Sequence, residues 1–130
     1  MLFRSPANTL NVGDVIRISA LCTYTTTGTK SVRVRFGSTI TGNQLLNPAS
    51  LASSVTSSQI DLLAVVTGST TLRFSTNTLG NAVIYGANTG ALVSQTIDRT
   101  QAISFVVTIQ KTTGSDTVTC ESAFLEIITS

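Results

Sequence analysis

The chain lacks histidine and tryptophan, and it is poor in cysteine, proline, aromatic residues and charge. Without histidine, Ser-His-Asp and Cys-His nucleophile systems are excluded, and so are histidine-ligated zinc, iron and copper sites. Charged residues make up only 11% of the chain, against a usual share of about 25%. Because few charges keep molecules apart, self-association is expected.

The six carboxylates give no sign of a catalytic pair. Asp14 and Asp116 lie in predicted turns, while Glu121 and Glu126 lie on the last predicted strand and face outward. Glycoside hydrolysis needs two carboxylates around one cleft, and nothing in the sequence brings two together. Asp-x-Asp spacing for calcium and a glycine-rich phosphate loop are also missing. We therefore predict no enzymatic activity, no cofactor and no metal.

Other missing features limit which partners and which cysteine chemistry are expected. No apolar run approaches the roughly 18 residues that span a bilayer, so no membrane is expected. The net charge of +2 is too small to predict a nucleic-acid partner. Cys22 and Cys120 match neither a disulfide framework nor a zinc spacing. Two interpretations of them stay open: buried reduced thiols, or a bond between an early and a late strand.

The residues that are present favour β-strands, since 23 threonines and 16 serines supply most of the polarity. The clearest alternation runs through Ser31–Gly37, where Val32, Val34 and Phe36 are expected to face inward and Arg33 and Arg35 outward. Further strands are predicted at Val15–Tyr24, Ser57–Thr67, Thr71–Thr76, Ala82–Tyr85, Ala102–Gln110 and Val118–Ile128.

Turn signals separate these strands. Thr27–Lys30 and Thr113–Asp116 are predicted to be hairpin turns, and Asn47-Pro48 to cap a short helical turn. The apolar phase of the last strand slips near Ser122-Ala123, which predicts a β-bulge.

Seven or eight short strands, about one every 12 to 15 residues, predict a sandwich or barrel. The first interpretation is an all-β, antiparallel, eight-stranded jelly-roll sandwich. The alternative is a Greek-key, immunoglobulin-like sandwich, although that fold usually carries a buried tryptophan. We expect a single domain over residues 1–130, with residues 1–11 leading into it.

Two surfaces are candidates for contact with partners. A run that is apolar on both faces is either a central strand or one covered by a neighbouring subunit; it comprises Leu62, Leu63, Ala64, Val65 and Val66. Arg33 and Arg35 form either a basic face that docks on an acidic partner or a solvated sheet face, with Arg17 and Arg73 as candidate neighbours. No aromatic residues interleave these arginines, which argues against nucleic acid. Tyr24 and Tyr85 are expected in the core rather than stacked on a sugar.

The stretch PANTLNVGDVIRI at residues 6–18, followed by TKSVRVRFG at residues 29–37, resembles jelly-roll domains of bacteriophage structural proteins. Those domains open with PANTL-x-x-GD-x-I-R and continue with a K-[TS]-V-R-V-R-F-G strand. They end with a strand pair, which Ile103 to Ile128 matches in kind. The resemblance implies a fold and a trimer, in which one sheet of each subunit faces the threefold axis, but no site residues.

The resemblance implies a virion protein, assembled in the host cytoplasm. Met1 stands five residues ahead of Pro6, so we expect a free-standing module without a fibre shaft. That favours a trimeric capsid decoration or cement protein that binds the major capsid protein or another virion protein. The alternative is a receptor-binding tip of a tail fibre, tail spike or head fibre, with a host surface glycan as a candidate partner. An excised fragment would favour this second function.

Overall fold

The computed structural model describes residues 2–37, 43–46, 51–74 and 93–130. Within these ranges the chain forms nine β-strands and no helix. The strands are β1 (Leu2–Ser5), β2 (Val15–Tyr24), β3 (Lys30–Gly37), β4 (Asn43–Leu46), β5 (Ser57–Gly68), β6 (Thr71–Phe74), β7 (Val93–Thr96), β8 (Ile103–Lys111) and β9 (Val118–Ile128).

The strands form two antiparallel sheets that pack as a sandwich. One sheet has the order β1-β8-β3-β4 and the other the order β7-β6-β5-β2-β9. The inward residues of both sheets make one hydrophobic core, in which the rings of Phe36 and Phe105 stack with centroids 6.4 Å apart. The predicted all-β antiparallel sandwich is therefore confirmed.

The finer prediction of an eight-stranded jelly roll is not confirmed. The described residues hold nine strands, in which β9 pairs with β2 while β8 pairs with β1 and β3. The alternation in β3 is as predicted: Val32, Val34 and Phe36 are buried, and the two arginines between them point to the outside.

The two predicted hairpin turns are wrong in kind. The turn at Thr27–Lys30 joins β2 to β3, and the turn at Thr113–Asp116 joins β8 to β9, yet in both cases the two strands belong to different sheets. Turn residues predict that the chain reverses, but not whether the reversed strand pairs beside its predecessor or crosses to the opposite sheet. We call these two connections the arches. In contrast, Gly68-Ser69 does join a hairpin, because β5 pairs with β6.

The predicted bulge is confirmed on β9. The register shifts between Leu21 and Cys22 of β2, so that Leu21 pairs with Ser122 and Cys22 with Cys120. Glu121 is the extra residue between these two partners. The bulge explains the slip of the apolar pattern. Because one extra residue is inserted, odd-numbered positions after the bulge face the same side of the sheet as even-numbered positions before it.

The segment that leads into the fold is anchored at several points. Residues 2–5 form β1, which pairs with β8. Arg99 donates from Nε to the Ser69 carbonyl at 2.8 Å and from Nη1 to the Leu10 carbonyl at 2.7 Å. The buried Asp14 carboxylate accepts from the backbone N–H groups of Asn11 and Ser130, at 2.8 and 3.2 Å. Residues 1–11 are thus partly an edge strand and not only a lead-in.

Several predictions fall on residues outside the described ranges. These are the helical turn at Asn47-Pro48, the strand at Ala82–Tyr85 and the core position of Tyr85.

Candidate assembly and docking surfaces

The outer face of the five-stranded sheet carries most of the exposed apolar side chains of the described residues. Six large hydrophobic side chains are exposed among the described residues, and four of them lie on this face: Leu21, Leu63, Phe124 and Ile128. We define the assembly face as the outward residues of β2, β5 and β9 around them, namely Val15, Arg17, Ser19, Leu21, Asp61, Leu63, Val65, Phe124, Glu126 and Ile128.

Strand register brings these residues together from distant parts of the sequence. Arg17 of β2 lies between Leu63 of β5 and Glu126 of β9. In an antiparallel sheet, directly paired residues point to the same face. The neighbouring row pairs Ser19 with Asp61 and Phe124 in the same way.

An ion pair holds the centre of the assembly face. Arg17 donates from Nε and Nη2 to the two carboxylate oxygens of Asp61, at 3.1 and 2.9 Å. Its guanidinium carbon also lies 5.7 Å from the centroid of the Phe124 ring. Two parallel hydrogen bonds and an aromatic neighbour restrict the side chains of this surface before any partner binds, which lowers the entropy lost on binding.

The predicted interface run divides between the core and the assembly face. Leu62, Ala64 and Val66 point inward and are buried, whereas Leu63 is 57% exposed and Val65 is half-buried on the outside. The run is therefore a central strand, paired with β2 and β6, and two of its five residues contribute to the assembly face.

The predicted basic residues Arg33 and Arg35 lie on the outer face of the other sheet. The register of β3, β8 and β1 places Arg4 on the same face, and none of the six carboxylates belongs to a strand of this sheet. We call Arg4, Arg33 and Arg35 the basic face. The suggested neighbours Arg17 and Arg73 are not part of it, because they lie on the five-stranded sheet.

Tyr24 is a core residue, as predicted, and is not presented for sugar stacking. It is 7% exposed and its hydroxyl hydrogen-bonds that of Ser58. Burial raises the pKa of Tyr24 to about 12. The ammonium of the buried Lys30 lies 5.9 Å from the centroid of its ring and donates to the carbonyls of Thr25 and Ser53.

Asp116 ties the two arches together. Its Oδ1 accepts hydrogen bonds from the Thr25 hydroxyl, at 3.0 Å, and from the hydroxyl and backbone N–H of Thr27. The Thr27 hydroxyl is the main cause that lowers the pKa of the Asp116 carboxyl. The other oxygen, Oδ2, is buried without a hydrogen-bond partner in the structure. A carboxylate with these neighbours acts as a structural acceptor. Asp116 lies in the connection between β8 and β9, as predicted, but its carboxylate bonds the other arch and not its own turn.

Sequence reasoning missed Phe124, Leu21 and Ile128 as surface residues. The signal in β9 was present: Phe124, Glu126 and Ile128 alternate with the half-buried residues Leu125 and Ile127. A mixed apolar and charged set on the outward phase is what an interface strand shows. The phase slip was recognised, but the pairing of β9 with β2, which brings these residues beside Leu21 and Leu63, could not be deduced from spacing.

The described ranges hold no group of three or more histidine, cysteine, aspartate or glutamate side chains placed to bind a metal ion. No helix long and apolar enough to cross a membrane occurs in that part of the chain. No family model, curated protein or solved structure matches this chain.

Proposed function

We propose that the protein is a structural component of a virus particle, namely a capsid decoration protein that assembles as a homotrimer and stabilises the shell. The observation that carries the proposal is the assembly face, where four of six exposed large hydrophobic side chains meet on one surface. The likeness of residues 6–37 to bacteriophage structural domains supports the viral setting. The occupant of the assembly face is a second copy of this chain.

The apolar content of the assembly face fits a moderate self-association. Full burial of one large apolar side chain contributes about 1.5–3 kcal/mol. The four side chains are already about half buried, so they retain roughly 3–6 kcal/mol per subunit. The three faces of a trimer together retain about 9–18 kcal/mol, which is comparable with the cost of two association steps at about 4–15 kcal/mol each.

The charges of the assembly face favour contact between copies. Arg17 is neutralised within the chain by Asp61. Arg73 pairs with Val65 on the β6 side of the face, and Glu126 lies on β9 at the other side. Around a threefold axis, the β6 side of one copy's assembly face meets the β9 side of the next copy's face, so Arg73 of each copy comes toward Glu126 of its neighbour. Opposite charges at the rim favour this arrangement over others.

The basic face provides the second contact, with an acidic surface of the major capsid protein or another virion protein. Its three arginines have no carboxylate on the same sheet. Arginine forks suit bidentate binding of carboxylates. Binding that favours the closed shell over its open form stabilises the shell by mass action.

The experiment is to strip the protein from purified particles, verify its removal and heat the particles alongside untreated ones. Stripped particles are expected to release their contents at a lower temperature, and re-addition of the protein should restore resistance. Unchanged heat resistance after verified removal would contradict the stabilising role.

The alternative function is host recognition at the tip of a fibre or spike. The sequence Gly86–Gly90 favours it, because this cluster of Gly, Asn and Thr predicts a loop and binding residues concentrate in loops. The test is to display the domain multivalently and measure binding to host cells. Binding that a soluble host glycan competes away would support recognition, and no binding would contradict it.

A further inference from the structure

The chain's two cysteines lie side by side in the folded protein. Cys22 of β2 and Cys120 of β9 are direct partners in the antiparallel register, although 97 residues separate them in the sequence. Cys120 is close enough to Cys22 to add to the rise in the pKa of the Cys22 thiol, although burial is the larger cause. Both are free thiols in the structure.

The strand register sets a backbone geometry that suits a disulfide. Direct partners in an antiparallel pair have Cα atoms about 4.5 or 5.5 Å apart, depending on the hydrogen-bond pattern. Disulfides join Cα atoms about 4.4–6.8 Å apart. Both of these distances fall within the range that a disulfide joins.

The two thiols differ in their access to solvent. Cys22 is 1% exposed because it faces the core from a strand with neighbours on both sides. Cys120 is exposed because β9 is an edge strand and its inward residues are incompletely covered. A reagent in solution therefore reaches Cys120 before it can reach Cys22.

We propose that Cys22 and Cys120 form a redox site that a small-molecule disulfide oxidises to a cross-strand disulfide, which locks β9 to the sheet. The Cys120 thiolate attacks one sulfur of the oxidant, forms a mixed disulfide and releases one thiol. The Cys22 thiolate then attacks the Cys120 sulfur and releases the second thiol. The protein gives up two electrons and two protons, and one disulfide oxidant is reduced to two thiols.

The buried thiol controls the second step. Burial is the main cause that raises the pKa of Cys22 to about 11. Only the thiolate attacks, so closure of the disulfide becomes faster as the pH rises toward that value. The inference goes beyond the proposed function and does not rest on it. It also concerns the strand that carries Phe124 and Ile128.

The test uses the full chain in glutathione buffer with excess oxidised glutathione, followed by acid quenching and tryptic mapping without reduction. Trypsin places the two cysteines in separate peptides, residues 18–30 and 112–130. The expected product is these two peptides joined, and it should form faster at higher pH. The oxidised protein should melt about 5–15 °C above the reduced one, since the bond closes a long loop.

Two variants separate the steps. Cys22→Ser should stop at the mixed disulfide on Cys120, and Cys120→Ser should leave Cys22 unmodified while the protein is folded. Neither variant should gain thermal stability from the oxidant. The proposal is overturned if the unaltered protein accumulates the mixed disulfide on Cys120 without joined peptides, or if joined peptides appear only in denaturant.

Discussion

Replacement of Leu63 by glutamine is the most informative perturbation of the proposed assembly. Leu63 lies at the middle of β5 on the assembly face, opposite Arg17, and is 57% exposed in the single chain. Glutamine has a similar length and no charge, so the change removes apolar surface without adding repulsion. A variant of this kind tests the face and leaves the core untouched.

The expected magnitude follows from the exposed fraction of the side chain. Full burial of leucine contributes about 1.5–3 kcal/mol, so the part still exposed in the monomer retains about 1–1.5 kcal/mol. An amide buried without a partner costs a further 1–3 kcal/mol or so. Each subunit contact should therefore weaken by about 2–4.5 kcal/mol, which is roughly 30-fold to 2,000-fold. The free energy of unfolding of the monomer should change by only about 0.5 kcal/mol.

The assay is sedimentation equilibrium over a range of protein concentrations, with urea unfolding measured in parallel. Leu2→Gln is the matched control, because Leu2 is 54% exposed but lies on β1 of the other sheet. We expect Leu63→Gln to shift the trimer toward monomer and Leu2→Gln to leave it unchanged. Equal association of both variants, with normal unfolding, would refute the role of the assembly face.

The fold itself yields three further predictions. Leu72→Ala, at a fully buried position on β6, should lower the free energy of unfolding by about 2–5 kcal/mol in urea; a loss below 1 kcal/mol or so would contradict the core. Gly13→Ala should lower the melting temperature of the protein, because Gly13 has a φ of 99° and an added Cβ would lie 2.8 Å from the Ser130 hydroxyl oxygen. Gly114→Ala is the control, because an added Cβ there meets open space. Equal melting temperatures of the two variants would count against the described conformation at Gly13. The lowered pKa of Asp116 means that the carboxylate stabilises the fold fully above the ordinary pKa of about 3.9, and that this stabilisation is lost as the pH falls through the lowered value. Asp116→Asn should therefore flatten the acid side of the curve of unfolding free energy against pH. An unchanged curve would argue against the bond between the arches.

Local patterning predicted the strands well where one face is buried. β2 and β3 were predicted from alternation and turn residues, and the bulge in β9 from a slip of phase. These features are set by neighbouring residues and by the period of two along a strand. These predictions agree with the structure because each strand buries one face in the sandwich.

The sheet order could not be predicted in the same way. Pairing of β2 with β5 and β9 depends on contacts between distant residues, and the arches look like hairpins in sequence. The assembly face could not be predicted for the same reason, because Leu63, Arg17 and Phe124 meet only through that pairing. Arg33 and Arg35, which share one strand, were placed correctly on one face.

We propose that copies of this chain meet through the outer face of the five-stranded sheet. Radical footprinting read out by mass spectrometry can locate this contact, with the protein compared at low concentration, at high concentration and bound to its particle. Leu63 and Phe124 are expected to lose reactivity both at high concentration and on the particle. Leu2 is expected to stay as reactive as in the monomer at high concentration; it is not a control on the particle, because it shares the outer face of the four-stranded sheet with Arg35. Unchanged labelling of Leu63 and Phe124 in the assembled protein would contradict the proposal.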